Sequence, residues 1–316
     1  MRASRLVAAA TAAVLTVGLT ACGSDDSTVS SSEMTELVNQ AVAVSGEVGA
    51  KPKVTWSEQL TADATSVQTL VAGDVGEPLG DGDSFFGKIW LENGYTMKEA
   101  SGWDWPTDPT LMSVSADSMG PTLVDALTGV TPGSRVMIAT APEGVFGDPA
   151  GGSSFGIGNE DTVVVIVDVL STVPKEASGT SRKAPRWAPS VTEGDGIPTA
   201  LDFKGVPEPS DGLRVGYLIK GDGDKLTAKD TQVVVNYLGQ VYGKAKPFDE
   251  SFTKTPFTMS MKEGVVEGWL QGLRGVPVGS RVILSIPPAL GYGDKGNGDI
   301  KGTDTMFFVI DVLAKA

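Results

Sequence analysis

The chain has 316 residues, 41% apolar and 20% charged, with 40 Gly and 19 Pro. That is length for about two domains, and a composition of turns and strand ends rather than of long helices or a disordered acidic chain. A formal charge of -14, from 25 Lys plus Arg against 39 Asp plus Glu, excludes a nucleic-acid partner, because a phosphate backbone must be met by basic side chains. Histidine is absent and Cys22 is the lone cysteine, which removes His triads, His-containing zinc sites and any intrachain disulfide.

Residues 1–21 read as an export signal. Arg2 and Arg5 supply a positive start, Leu6 to Leu19 an apolar stretch, and Leu19-Thr-Ala-Cys22 a small-residue cleavage site. The apolar run is shorter than the roughly 20 residues of a transmembrane helix. The segment resembles a bacterial lipoprotein signal, which implies that Cys22 becomes a lipidated N-terminus and that the folded part lies outside the cytoplasm, anchored to the cell membrane. Residues 22–43 begin with a small polar run and are expected to be a flexible tether.

Beyond the tether the sequence repeats itself. Gly129-Val-Thr-Pro-Gly-Ser-Arg-Val-Met-Ile138 recurs as Gly275-Val-Pro-Val-Gly-Ser-Arg-Val-Ile-Leu284, and Asp161-Thr-Val-Val-Val-Ile-Val-Asp-Val-Leu170 as Asp304-Thr-Met-Phe-Phe-Val-Ile-Asp-Val-Leu313. Two matches in the same order, at nearly equal long spacing, indicate a duplicated domain. The copies are expected at 44–172 and 192–316, joined by a Pro-, Ser- and Lys/Arg-rich linker at 173–191. In the second copy, Thr231–Tyr237, Arg281–Ile286 and Met306–Leu313 are β-branched and aromatic runs of strand length, the middle one stopped by Pro287-Pro288. Val265, Val266, Trp269, Leu270 and Leu273 fall on one face of a short helix. The simplest arrangement is α+β, two domains, each a twisted antiparallel sheet wrapped around one short helix.

The second copy carries Val-Val-Val-Asn-Tyr237-Leu-Gly, Pro-Phe248-Asp249-Glu-Ser, Pro-Phe257-Thr-Met, Val265-Val266-Glu-Gly-Trp269, Gly279-Ser-Arg281, Leu-Gly-Tyr292-Gly and a closing strand with Phe308. In this order, over nearly all of 211–316, it resembles an FKBP-type peptidyl-prolyl cis–trans isomerase. The resemblance implies a pocket with Trp269 as floor and Tyr237, Phe248, Phe257, Val265, Val266, Ile300 and Phe308 as walls. It gives Tyr292 the role of hydroxyl donor to a substrate carbonyl, the Val266 N–H that of holding a neighbouring carbonyl, and Asp249 that of polarising the site and orienting Tyr237. It further implies proline-containing segments of exported or unfolded proteins as substrate, a site for macrolide inhibitors, and no cofactor or metal. The competing reading of Trp269, Phe248 and Phe308 is ordinary core packing, and that of Asp222-Gly-Asp224 and Asp294–Asp299 is solvated turns, since neither matches a calcium loop. The loop from Gly293 to Gly302 departs from the family pattern in being more polar.

The first copy keeps the frame without the pocket. By alignment Trp90 stands for Tyr237, Leu123 for Trp269, Phe146 for Tyr292 and Val165 for Phe308, and Glu99-Ala-Ser-Gly102 lacks the Asp, unless Asp104 has taken its role. Trp103 and Trp105 form either a contact surface or buried packing. The expected function is prolyl isomerisation in the second copy. The alternatives are a non-catalytic chaperone or assembly factor on the same fold and, from a different fold, a solute-binding lipoprotein.

Overall fold

The computed structural model describes residues 30–316 apart from 62–63, 103 and 151; the export signal and Cys22 therefore lie outside the described residues. Helix α1 (Ser31–Ala41) opens the fold. Ser30 and Glu33 form a capping box that satisfies the first free N–H groups, and Met34, Val38 and Ala41 put one buried stripe on the helix. Residues 31–43 are therefore not tether: the stripe requires a partner, and a folded element replaces the flexible segment expected there.

Strands β1 (Val42–Ser45) and β2 (Lys53–Trp56) form a hairpin, followed by β3 (Ser66–Val71), β4 (Ser84–Asn93), β5 (Lys98–Glu99), β6 (Thr110–Ser113), α2 (Ala116–Met119), α3 (Pro121–Leu127), β7 (Ser134–Thr140), α4 (Pro142–Phe146) and β8 (Val163–Thr172). The larger sheet runs β3-β7-β8-β4-β5, with β6 also on β4, and all its pairs are antiparallel. Alternation along β8 builds two layers. Val163, Val165, Val167 and Val169 pack toward Leu123 and Leu127 of α3, whereas Val164 and Ile166 pack toward Met34 and Val38 of α1.

A second set follows: β9 (Thr180–Ser181), β10 (Ser190–Gly194), β11 (Ile197–Asp202), β12 (Arg214–Lys220), β13 (Val233–Val241), β14 (Asp249–Glu250), β15 (Phe257–Met259), α5 (Glu267–Leu273), β16 (Arg281–Ile286) and β17 (Met306–Lys315). Its sheet runs β14-β13-β17-β16-β12-β9, with β15 on β13. Without β9, this is the strand order of the first sheet. The agreement reaches single atoms. The Gly73 N–H donates to Ser134 Oγ at 2.9 Å and the Gly221 N–H to Ser280 Oγ at 3.0 Å. Gly133 and Gly279, both at positive φ, each donate to a carbonyl of the last strand at 2.7 Å.

Here too both faces are covered. Val233, Val235, Leu284, Phe308 and Ile310 pack with Trp269 and Leu273 of α5, while Leu238, Ile283, Phe307 and Val309 lie under Leu201, Trp187 and Phe203. Gln240, fully buried, clamps β11 by accepting from the Leu201 N–H at 2.8 Å and donating to its carbonyl at 2.9 Å. The helix begins later than its apolar spacing predicts. Val265 and Val266 precede it, and Val266 is its extended N-cap.

The expected linker is a packed strap. Val173 is buried, the Ala177 N–H donates to Asp311, the Ser178 N–H donates to the Gly279 carbonyl, and Thr180–Ser181 pairs with the edge of β12. Strand pairing by main-chain groups leaves no apolar periodicity in the sequence, which is why the segment reads as linker. Each sheet also buries one ion pair. Arg135 Nε lies 2.6 Å from Asp168 Oδ1, and Arg281 Nε 2.6 Å from Asp311 Oδ1. The spare Arg135 N–H groups hold the carbonyls of Gly46, Glu47 and Ala50, and Arg281 reaches Glu193 of β10. Asp311→Ala takes from the buried Arg281 guanidinium its buried partner, leaving it only the more exposed Glu193, and is expected to cost about 3–5 kcal/mol, read as a lower urea midpoint.

Candidate active site

On β13 the residues facing α5 are Val233, Val235 and Tyr237. The Tyr237 ring meets Trp269 at a centroid distance of 5.2 Å and an angle of 76°, and Phe257 at 5.7 Å. Trp269 in turn meets Phe308 edge-on at 5.2 Å and 90°, and Phe308 meets Phe248 at 5.6 Å and 87°. These T-shaped contacts build a box of rings. Trp269 and Phe308 are each 4% exposed, Ile300 7%, whereas Phe248, Phe257 and Tyr292 stand at 36–38%. The box therefore has a buried floor and an open rim.

Each ring is placed by its backbone. Trp269 sits in the first turn of α5, and its N–H donates to the Val266 carbonyl at 2.9 Å. Gly268 lets the helix close on β16, since a Cβ there would meet Ile286 at 2.5 Å. Ile300 is tucked inward by a two-way backbone pairing with Asn297 at 2.8 and 3.0 Å. Among the described residues the buried Trp269 indole N–H has no partner, so one polar donor stands in the floor of an otherwise apolar box.

The polar side of the rim is the β14 corner. Tyr237 donates its hydroxyl to Asp249 Oδ2 at 2.5 Å, and Lys254 Nζ lies 3.9 Å from Asp249 Oδ1. Glu250 beside it accepts from the Thr253 N–H, which together with the Thr253 hydroxyl and Lys254 holds its carboxyl below the usual range. Burial, then the bond to Asp249, pushes the Tyr237 phenol well above its ordinary value, and Tyr292 is close enough to act on it electrostatically. Tyr237 thus remains a neutral donor. Any stability that depends on its proton is complete below the unfolded value of ~10 and is lost only as pH climbs through the raised one. Because burial is the larger cause, the Tyr237 phenol in Asp249→Ala is expected to move down yet stay above the ordinary value. Difference absorbance against Tyr237→Phe, titrated with base, checks this.

The pocket residues read from the sequence all have described positions. Tyr237, Val265, Val266, Trp269, Ile300 and Phe308 share one apolar cluster, while Phe248, Asp249, Phe257 and Tyr292 ring it. Two further residues were not singled out. Gly239 follows Tyr237 on the same face, opposite Phe308, and a Cβ there would meet Phe308 at 2.6 Å and Phe248 at 2.7 Å. Ser251, 4% exposed, accepts from the Tyr237 N–H at 3.0 Å and donates its own N–H to the Tyr237 carbonyl. Gly239 was visible as a glycine inside a strand, which signals close approach.

In the first domain the alignment needs one correction. Ile89 opposes Val167 as Tyr237 opposes Ile310, each partner standing one residue before the buried Asp168 or Asp311. Ile89, not Trp90, therefore occupies the place of Tyr237. A slip of one residue turns a side chain to the other face of the sheet; Trp90 lies under α1 and donates its indole N–H to Glu92 at 2.7 Å. In the place of the box, Leu91 faces Val165 where Gly239 faces Phe308, and Leu91, Leu123, Val165, Ile157 and Ala100 close it as solid core. Phe146 stacks on Phe155 at 5.8 Å. Asp104 is exposed, Trp105 packs edge-on against Trp90 at 6.3 Å, and Trp103 lies outside the described residues.

The family model described as FKBP-type peptidyl-prolyl cis-trans isomerase matches residues 223–313. The FK506-binding protein of Streptomyces anulatus is 38% identical over 118 residues, 36% of this chain and 94% of the relative. The isomerase FkpA of Escherichia coli K12 is 36% identical over 110 residues, 35% of this chain and 40% of that protein. Among solved structures, a peptidyl-prolyl cis-trans isomerase from Pseudomonas syringae pv. tomato is similar at 31% identity and a TM-score of 0.31, covering 34% of this chain and 77% of that one. The segment the family model matches is the pocket-bearing one, and with the Streptomyces relative matched over 94% of its length the chain belongs to the FKBP-type peptidyl-prolyl cis–trans isomerases.

Proposed function

We propose that the second domain isomerises X–Pro bonds in exported or unfolded polypeptides, with the proline ring seated on Trp269. The observation that carries this is the box itself: a buried aromatic floor beneath an open rim on which Tyr237 and Asp249 are joined. Rotation of the bond breaks amide resonance, a barrier of roughly 18–20 kcal/mol. The twisted amide has less charge separation than the planar one, so transfer from water into an apolar box favours the twisted form. A thousandfold acceleration asks for only about 4 kcal/mol. No covalent bond changes.

The polar groups then hold the substrate. Tyr292, at the rim, donates to the carbonyl before the proline, and the N–H of Val266, the N-cap of α5, donates to a neighbouring carbonyl. Asp249 orients Tyr237 and polarises the rim without taking a proton. The test is isomerisation of a short X–Pro peptide by the whole chain. Tyr292→Phe is expected to lower kcat/KM roughly five- to tenfold, the worth of one hydrogen bond; an unchanged rate removes Tyr292 from this role. FK506-type macrolides, named for the Streptomyces relative, are proposed to compete for the same box.

The position of Cys22 after a lipoprotein-like signal supports anchoring of the mature chain by lipid to the outer face of a bacterial cell membrane, where exported clients fold. Loss of membrane association in Cys22→Ser checks it. The domain at 44–172 is proposed to be a non-catalytic relative of the second, supported by its filled box and the same strand order.

A further inference from the structure

Behind the rim runs a chain of hydrogen bonds that the roles above do not use. β13 turns Tyr237 toward the box and its neighbour Asn236 away from it. The Tyr237 N–H donates to Ser251 Oγ at 3.0 Å, the Ser251 hydroxyl donates to Asn236 Oδ1 at 3.1 Å, and Asn236 Nδ2 donates to the Lys175 carbonyl at 3.3 Å. Every proton in this chain has one direction. The backbone amide forces Ser251 Oγ to accept, its hydroxyl must then donate onward, and Asn236 is turned with its NH2 toward the strap. Asn236 and Ser251 are 5% and 4% exposed, and the bond between them is buried, so Ser251 cannot exchange it for water without opening the hairpin. Ser251 stands two residues after Asp249 and grips the residue whose hydroxyl Asp249 accepts.

The far end of the chain belongs to the junction between the domains. Lys175 Nζ pairs with Asp83 of the first domain at 2.9 Å, and Val173 is buried with Phe86 on one side and Val234 and Leu313 on the other. Gln232, at the head of β13, donates to the Pro109 carbonyl at 2.9 Å. Between strap and hairpin lies a cavity of 420 Å³ bordered by Asp83, Lys175, Asn236, Phe252, Lys254 and Pro256. Packing is therefore absent where the hairpin faces the strap, and the bonds through Asn236 span that space. In the first domain Lys88, opposite Asp168 as Asn236 is opposite Asp311, sends its Nζ to the Thr107 carbonyl.

We propose that Asn236 and Ser251 are positioning residues for the isomerase, and that the first domain acts on the site through the strap at Lys175. The proposal rests on the roles given above to Tyr237 and Asp249. It is tested in the whole chain on a short X–Pro peptide. Ser251→Ala is expected to lower kcat/KM roughly tenfold, Ser251→Thr, which keeps the hydroxyl, to restore most of it, and Asn236→Ala/Ser251→Ala to lose no more than Ser251→Ala alone. Val173→Ala, which loosens the strap without touching the site, should reduce kcat/KM in the wild type and have no further effect on Asn236→Ala. Hydrogen exchange at the Tyr237 amide, faster in Ser251→Ala and in Val173→Ala, reads the same link without turnover. Additive losses in the double variant, equal losses from Val173→Ala in both backgrounds, or an unmoved Tyr237 amide overturn the proposal. An Asp249→Ala chain as active as wild type overturns instead the reading of the site on which it rests.

Discussion

Asp249→Ala is expected to lower kcat/KM for an X–Pro peptide by roughly 10–100-fold while leaving the fold intact, since a hydrogen bond to a charged group contributes roughly 1.5–3 kcal/mol and each 1.4 kcal/mol is about a factor of ten. The carboxylate is half-exposed at the rim, so its removal opens no large cavity. What it removes is the acceptor that holds the Tyr237 hydroxyl at 2.5 Å. Released, the phenol ring can rotate away from Trp269 and Phe257, and the wall it forms becomes mobile on the scale of a side-chain rotamer. Asp249→Asn keeps an oxygen acceptor without the charge and should fall between. Full activity in both variants would leave the rim without a function in turnover.

A larger loss is expected from Gly239→Leu combined with Phe308→Val, which writes the Leu91 and Val165 pair of the first domain into the second. Gly239→Leu alone drives a side chain into Phe308 and Phe248, whose atoms stand 2.6 and 2.7 Å from the position of a Cβ, and overpacking of this kind costs about 1–3 kcal/mol. With Phe308→Val the buried one of the two obstructing rings is gone, Phe248 at the exposed rim can turn outward, the number of side-chain carbons is kept, and the core refills. The double variant should therefore melt close to wild type and yet lose at least about a hundredfold in kcat/KM, because the box is closed from inside. Calorimetry and the peptide assay on one sample decide it; a double variant that melts normally and still turns over peptide would show that depth of the box is not what catalysis uses.

The pocket was legible because its residues are unusual for plain core. Tyr237, Trp269 and Tyr292 are amphipathic rings, and Asp249 is a charge beside a strand, so spacing and residue type both spoke for a site. Gly239 and Ser251 were in the same motifs and went unassigned, since what they contribute is absence of a side chain in one case and main-chain bonding in the other. The second layer of each domain was hidden for a related reason. Runs such as Met306–Leu313 are apolar on both faces, which fits a strand covered twice as well as one covered once, and nothing within the run names the cover. The cover for the first sheet did leave a signal, Ser30 followed by Glu33 and by Met34, Val38 and Ala41, but it sits beside a low-complexity segment that absorbs the eye. The slip between Ile89 and Trp90 came from matching aromatic to aromatic, whereas the register is set by the buried Asp168 and Asp311.

The strap and the β10–β11 hairpin bear on how much chain the second domain needs. The motifs begin at about 211, yet Leu238, Ile283, Phe307 and Val309 are roofed by residues from Trp187 to Phe203, and the edge of β12 is completed by Thr180 and Ser181. A fragment cut at the motif boundary would present a greasy sheet face and a raw strand edge to water, the two features that make polypeptides associate. One cut at 192 strips Ser190 and Val191 from β10 and loses Trp187, β9 and the Ala177 bond to Asp311. The smallest piece that keeps itself closed starts near Val173, so the unit that must be inherited, synthesised and released from the ribosome together is larger than the catalytic motif by about a third.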